Sequence, residues 1–341
     1  MTGYFLRRLL LVIPTFIGIT LLVFAITRVV PGGPIERMMT QAAFAQGDKG
    51  GGTSRSHSGN TLSEQQLEQL KAYYGFDKPV LTSYGSWLWR VLHLDLGNST
   101  RYHDPVWELV KERFPISIFY GLATLLLTYL ICIPLGVAKA IRHGEVFDNV
   151  TSILVFIGYA VPGYIVGIAL LTFFASYLDW FPLGGFVGDD FENYSLPGKI
   201  ADVIYHATLP LIAYLAGAFA VTSLLMKNAL MDNLASDYLR TAVAKGRSFR
   251  SAVWRHALRN SLIPIATSFG SNISLVLAGS FLIEIIFNID GMGLLGYESL
   301  VERDYPVVMG TLVISSLLFL VGNILSDLCV ALVDPRVRFG E

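Results

Sequence analysis

The sequence predicts an all-α integral membrane protein with six transmembrane helices, on three observations. Of its 341 residues, 53% are hydrophobic and 15% charged, with a mean hydropathy of +0.54, too little charge to solvate a soluble domain of this length. The apolar residues gather into runs of about 20, long enough at about 1.5 Å per residue to cross a hydrocarbon core roughly 30 Å thick. Lys and Arg collect at alternate ends of those runs, the asymmetry that orients a multi-span chain. The net charge of −1 gives no polyelectrolyte character that would suggest nucleic acid as a partner.

The first span is residues 9–30, preceded by Arg7 and Arg8. It is too long for a cleaved signal peptide and has the wrong flanks, so residues 1–30 are expected to be a retained anchor helix. Residues 31–115 are the one sizeable polar stretch, with nine basic residues balancing nine acidic ones, as suits a long translocated insertion that charge does not orient. Residues 46–60 are rich in Gly and Ser and lack apolar anchors, which predicts a mobile tract. Thr61-Leu-Ser-Glu64 fits a capping box opening a short helix to Lys71. Trp87, Leu88, Trp89, Val91 and Leu92 form an apolar cluster that reads as interfacial packing.

The remaining spans are residues 116–138, 150–177, 207–226, 261–287 and 307–333, giving a five-helix core over 116–333 and a tail at 334–341. Basic residues mark one side: Arg7 and Arg8, then Lys139 and Arg142, then the loop over 228–260, then Arg336 and Arg338. That loop, with Lys227 at its edge, holds Arg240, Lys245, Arg247, Arg250, Arg255 and Arg259 against Asp232 and Asp237. The opposite side, residues 178–206, holds Asp179, Asp189, Asp190, Glu192 and Asp202 against a lone Lys199. Both termini are therefore expected in the cytoplasm and the 31–115 insertion on the outer side.

Chemistry of its own is not expected of this chain. There is no phosphate-cradling GxxxxGK[ST] loop, since the text from Gly47 to Thr53 lacks the Gly-Lys-Ser/Thr ending. Neither an HExxH helix nor a GxSxG elbow occurs, and His57, His93, His103, His143, His206 and His256 are not spaced to share a helix face. Cys132 and Cys329 lie in apolar runs and read as small buried hydrophobes. No cofactor or metal is expected. Ionisable residues near spans are the next candidates: Glu284 and Asp327 as gate or pathway residues, with ion pairing the plainer role for each. Arg28 is read as a snorkelling residue and His206 as a capping or paired one.

The loop over 228–260 carries the most information. Residues 235–245 predict a short helix with Leu239, Ala242 and Val243 on one side, and Gly246 is a natural residue to end it. A second helix is predicted over 249–259. About 30 residues of such text stand where a short turn would suffice.

This loop resembles that of the permease subunits of bacterial binding-protein-dependent ABC importers. Arg240-Thr241-Ala242, three residues and Gly246 match the family's EAA-loop form with Arg in place of Glu, and Leu262-Ile-Pro264 ends later than the general pattern. Arg-Thr-Ala-x-Ala-Lys-Gly246 followed by Trp254-Arg-His-Ala-Leu-Arg-Asn260 is similar to the dipeptide and oligopeptide branch. Pro31-Gly-Gly-Pro34, Leu94-Asp-Leu-Gly-Asn-Ser99, His206-Ala-Thr-Leu-Pro210, Glu284-Ile-Ile-Phe-Asn288 and Asp334-Pro-Arg336 extend the resemblance along the chain. The long tract after the first span and Tyr73-Tyr-Gly-Phe-Asp-Lys-Pro79 look most like the YejB-type permeases, whose importers carry peptides and are linked to uptake of microcin C.

The resemblance implies a type I ABC importer permease fold. It also implies partners: a homologous second permease, cytoplasmic ATPase subunits or a fused ATPase that use the ATP, a periplasmic peptide-binding protein, the peptide substrate and membrane lipid. The coupling loop implied by it comprises Tyr238, Arg240, Thr241, Ala242, Lys245, Gly246 and His256. The peptide path would be lined from this side mainly by spans two to five. A self-contained secondary transporter or channel would instead need ionisable residues at mid-bilayer or an inverted repeat. A membrane-anchored scaffold would work through its soluble insertion.

Overall fold

A computed structural model describes residues 2–29, 78–277 and 279–333. The Gly/Ser tract at 46–60, the helix expected at 61–71 and the tail at 334–341 lie outside the described residues. The chain is helical: α1 (Thr2–Val29), α2 (Val80–Leu92), α3 (Val106–Ile141), α4 (Val146–Ala160), α5 (Gly163–Leu170) running into a π-helical turn (Leu171–Tyr177), and α6 (Leu196–Leu234). Then come α7 (Asp237–Ala244), α8 (Phe249–Ala252), a π-helical turn (Val253–Ala257), α9 (Leu258–Ser261), α10 (Ile263–Leu277), α11 (Phe281–Ile286), α12 (Met292–Val301) and α13 (Tyr305–Val333). Among the described residues the β pairing is limited to an isolated bridge between Asn98 and Pro105.

Among the described residues, four helices are long and apolar enough to cross a membrane: residues Leu6–Arg28 of α1, then α3, α6 and α13. They contain Pro14, Pro115, Pro134 and Pro210, tolerated because neighbouring groups re-satisfy the backbone freed at each. α3 starts ten residues before the span expected at 116, and α6 overruns 207–226 at both ends.

The other two expected spans are not single helices. Residues 150–177 form two legs, α4 and α5 with its π turn, bent by 93°. Pro162 causes the break, because its ring bars Val161 from the helical region, and Val161 sits at φ −96°, ψ 118°. Residues 261–287 divide into α10 and α11. The 15 residues of α10 rise only about 22 Å, and Gly279 beyond it takes φ +79°, a left-handed turn that glycine adopts without strain. Among the described residues, four helices are thus long and apolar enough to span unbroken, with a fifth span if the bent pair is one.

The chain divides into two compact units. The larger comprises residues 1–12, 113–294 and 317–341. In it α5 lies against α6 at close range, since a Cβ on Gly163 would meet Ala213 O at 2.6 Å and one on Gly167 would meet Ala213 Cβ at 3.4 Å. Small residues four apart permit that approach. One buried cluster joins Tyr120, Ala207, Ala213, Ile283 and Phe287, and a second joins Val137, Met226, Leu230, Leu239, Val253 and Ile265. Leu126 and Leu130 of α3 and Ile153 and Leu154 of α4 are exposed, as befits helices solvated by lipid.

The smaller unit is residues 13–112 and 295–316. Phe24, Tyr84 and Trp87 pack as an aromatic trio with centroids 5.6 to 5.8 Å apart, and Tyr84 OH lies 2.8 Å from Thr20 Oγ1. Trp87 and Val91 of the expected apolar cluster are buried, whereas Trp89 and Leu92 are exposed. Arg28 lies over the Phe24 ring and donates to Lys78 O. Fully buried Asp304 accepts from Ser99 Oγ and from the amides of Thr100 and Arg101. Arg101 pairs with Glu298 at 2.7 Å and Glu302 at 3.0 Å.

Candidate functional site

The candidate site is built where the loop after α6 folds back on the helix ends. Leu239 faces inward from α7 and is 3% exposed, in the cluster that contains Val137 and Ala140 of α3, Met226 and Leu230 of α6, and Val253 and Ala257 beyond α8. Ala242 packs against the same cluster. Polar bonds fix the elbow: Tyr238 OH donates to Asn233 Oδ1, Asn233 Nδ2 donates to Ser261 Oγ at 3.1 Å, and Asn260 Nδ2 donates to Tyr238 OH at 3.2 Å. Gly246, at φ +86°, ends α7, with its own N–H on Val243 O and that of Arg247 on Ala242 O. This is the Schellman arrangement, which satisfies the last carbonyls of a helix.

The opposite face of α7 is bare. Arg240, Thr241, Val243 and Lys245 are exposed, as are Trp254, Arg255 and His256 on the following turn. The predicted helix over 235–245 is therefore present, with Leu239 and Ala242 inward and Val243 outward, against expectation. The second predicted helix continues to Ser261 with a π turn in its middle, which sets Val253 and Ala257 inward while leaving Trp254 56% exposed.

At the root of the same loop lies a buried charge cluster. Lys227 Nζ donates to both carboxylate oxygens of Asp148, at 2.7 and 2.8 Å. Lys139 Nζ, wholly buried, donates to Ser152 Oγ at 2.7 Å, Thr151 Oγ1 at 3.1 Å and Asp148 O at 3.3 Å, and stands 3.5 Å from Asp148 Oδ1. The Gly144 amide and His143 Nδ1 complete the shell of Asp148. In the sequence Lys139 and Lys227 read only as span-flanking charges, and Asp148 carries no signal of its own. No local pattern marks it, since Lys227 is 79 residues away in the chain.

A cavity of about 470 Å³ opens among α3, α5, α6, α10 and the start of α11, with Thr124, Thr128, Tyr129, Tyr214, Ser268 and Asn272 as its main polar lining. Among the described residues, no Asp, Glu, Lys, Arg or His lines it. The buried hydroxyls of Thr124 and Thr128 have no hydrogen-bond partner among the described residues.

The two acidic candidates stand elsewhere. Glu284 is 2% exposed and accepts from the Leu294 amide at 2.6 Å, with Tyr214 OH at 3.5 Å. Its carboxylate is enclosed by Gly279, Gly291 and Gly293, where any Cβ would strike it. Asp327 pairs with Arg8 of the first helix at 2.6 Å, an ion pair as expected. His206 is also paired, its Nδ1 lying 3.0 Å from Asp202 O and 3.4 Å from Asp202 Oδ1. Buried Cys132 donates to Phe219 O.

Residues 132–339 match the family described as binding-protein-dependent transport system inner membrane component. The chain is 42% identical to the peptidoglycan transport system permease protein YejB of Agrobacterium fabrum, over 99% of both chains. It is 39% identical to the inner membrane ABC transporter permease protein YejB of Escherichia coli O157:H7, again over 99% of both. The chain belongs to this permease family.

Other members include the dipeptide transport system permease protein DppB of Escherichia coli K12, 33% identical over 99% of both chains. The inward-facing MetNI methionine ABC transporter superposes with a TM-score of 0.51 at 16% identity, covering 66% of this chain and 96% of that one, a likeness of fold. The permease is thus a multi-pass protein of the inner membrane with the fold of ABC importer permeases. The family region includes α7, the Lys227–Asp148 pair, Glu284 and Asp327.

Proposed function

We propose that this permease is the membrane half of an ATP-driven peptide importer, with α7 and the turn after it as the surface that separate ATPase subunits grip. The observation that carries the reading is the end-to-end similarity to permeases named for peptidoglycan, dipeptide and oligopeptide transport. Their named cargoes share peptide units, and the cavity suits such units. Hydroxyls and an amide bond a peptide backbone without demanding any one side-chain charge. A second permease would close the path, a periplasmic binding protein would deliver the peptide, and selectivity would fall chiefly to that protein. Peptide–nucleotide antibiotics of the microcin C kind fit the same tolerant route.

Coupling follows from the build of α7. An inward face locked to α3 and α6 passes on a push that a loose loop would absorb, while Arg240, Thr241, Lys245 and His256 are exposed where a partner would dock. Placing the 228–260 loop and both termini in the cytoplasm, with 31–115 outside, agrees with the charge asymmetry. The reading is tested by reconstituting the permease with its second permease and ATPases in proteoliposomes and adding binding protein and peptide. Peptide-stimulated ATP hydrolysis with uptake is expected. Uptake that runs on an ion gradient without the ATPases would overturn it.

A further inference from the structure

The Lys227–Asp148 pair is placed oddly for a surface salt bridge. Both groups are buried, and they join α4 to α6. Lys227 lies between Met226 and Leu230, the α6 residues whose cluster holds Leu239 of α7. Asp148 lies in the first turn of α4, the leg that leads through the 93° bend to Gly163 at the cavity wall.

Removing two charges from water is costly, and the pair holds only at close geometry, so it resists sliding more sharply than apolar contact does. Apolar faces in a bilayer slip easily, because lipid competes on equal terms. Lys139 is tied to the same turn of α4 by Ser152 and Thr151, so it holds α3 to α4 whether or not Lys227 is present.

We propose that the Lys227–Asp148 pair is a positioning tie that makes α4 move with the α6–α7 elbow, so that motion imposed on α7 reaches the cavity wall. The inference rests on the coupling role proposed for α7.

The test is Lys227→Met in the reconstituted complex, scored for assembly, ATP hydrolysis and peptide taken up per ATP. Asp148 then keeps Lys139, His143 and the Gly144 amide as partners. The double variant D148N/K227M is scored alongside, since removing one cation and one anion together leaves the net charge of the cluster unchanged. The tie predicts that the assembled variant hydrolyses ATP but moves about tenfold less peptide per ATP, and that Lys227→Arg, which keeps the pair, restores the ratio. Wild-type uptake per ATP in Lys227→Met or in the double variant would overturn it. Failure of both to assemble would also overturn it, assigning the pair to folding alone. Absence of ATP-dependent uptake by the wild-type complex would instead sink the importer reading.

Discussion

Glu284 shows how burial decides the work of a side chain. Its carboxylate accepts the Leu294 amide from inside a glycine enclosure, behind Tyr214 and Gly279 of the cavity lining. The Glu284→Ala variant should lose about 1–3 kcal/mol as that amide is left without an acceptor, read as a lower melting temperature in detergent, whereas Glu284→Gln keeps an acceptor oxygen and should melt closer to wild type. Uptake by Glu284→Gln should also stay near wild type, whereas a peptide-amine role would leave that stable variant poor in uptake. Gly246 is a second such residue. Its φ of +86° makes Gly246→Val cost about 1–2 kcal/mol and unravel the end of α7, so ATP hydrolysis in the complex should fall while membrane insertion is kept.

Among the elements, α7 divides into an anchoring and a presenting face, and the two should fail differently. Leu239→Ala empties a buried site and should cost about 2–5 kcal/mol, seen as reduced abundance in the membrane. Arg240→Glu with Lys245→Glu alters only exposed groups, so abundance should hold while co-purification of the ATPases drops. The short helix was legible because apolar spacing and a terminal glycine are local signals, and the four unbroken spans were legible because hydropathy accumulates over 20 residues. The bent third span and the divided fifth were not. Window-averaged hydropathy is blind to backbone dihedrals, and Pro162 and Gly279 act through those. Asp148 escaped for another reason: a charge beside a span reads as interfacial until folding brings Lys227 to it.

At the scale of the molecule, the chain holds a mainly apolar cavity that carries hydroxyl and amide groups and, among the described residues, no charged lining, along with exposed apolar helix faces and a helical elbow with one bare face. Each part is passive alone. Together they fit the proposed importer subunit, whose energy would enter from partner ATPases through α7. Ala242 sits where the elbow meets the core, so a carboxylate there would be forced against apolar neighbours and pry α7 loose. The most direct measurement is peptide uptake by proteoliposomes holding the full complex, wild type against Ala242→Asp, with ATP enclosed on the side of the ATPases. ATP-dependent uptake by wild type, lost in Ala242→Asp at equal membrane insertion, is the predicted result; equal uptake by the two, or uptake indifferent to ATP, would contradict it.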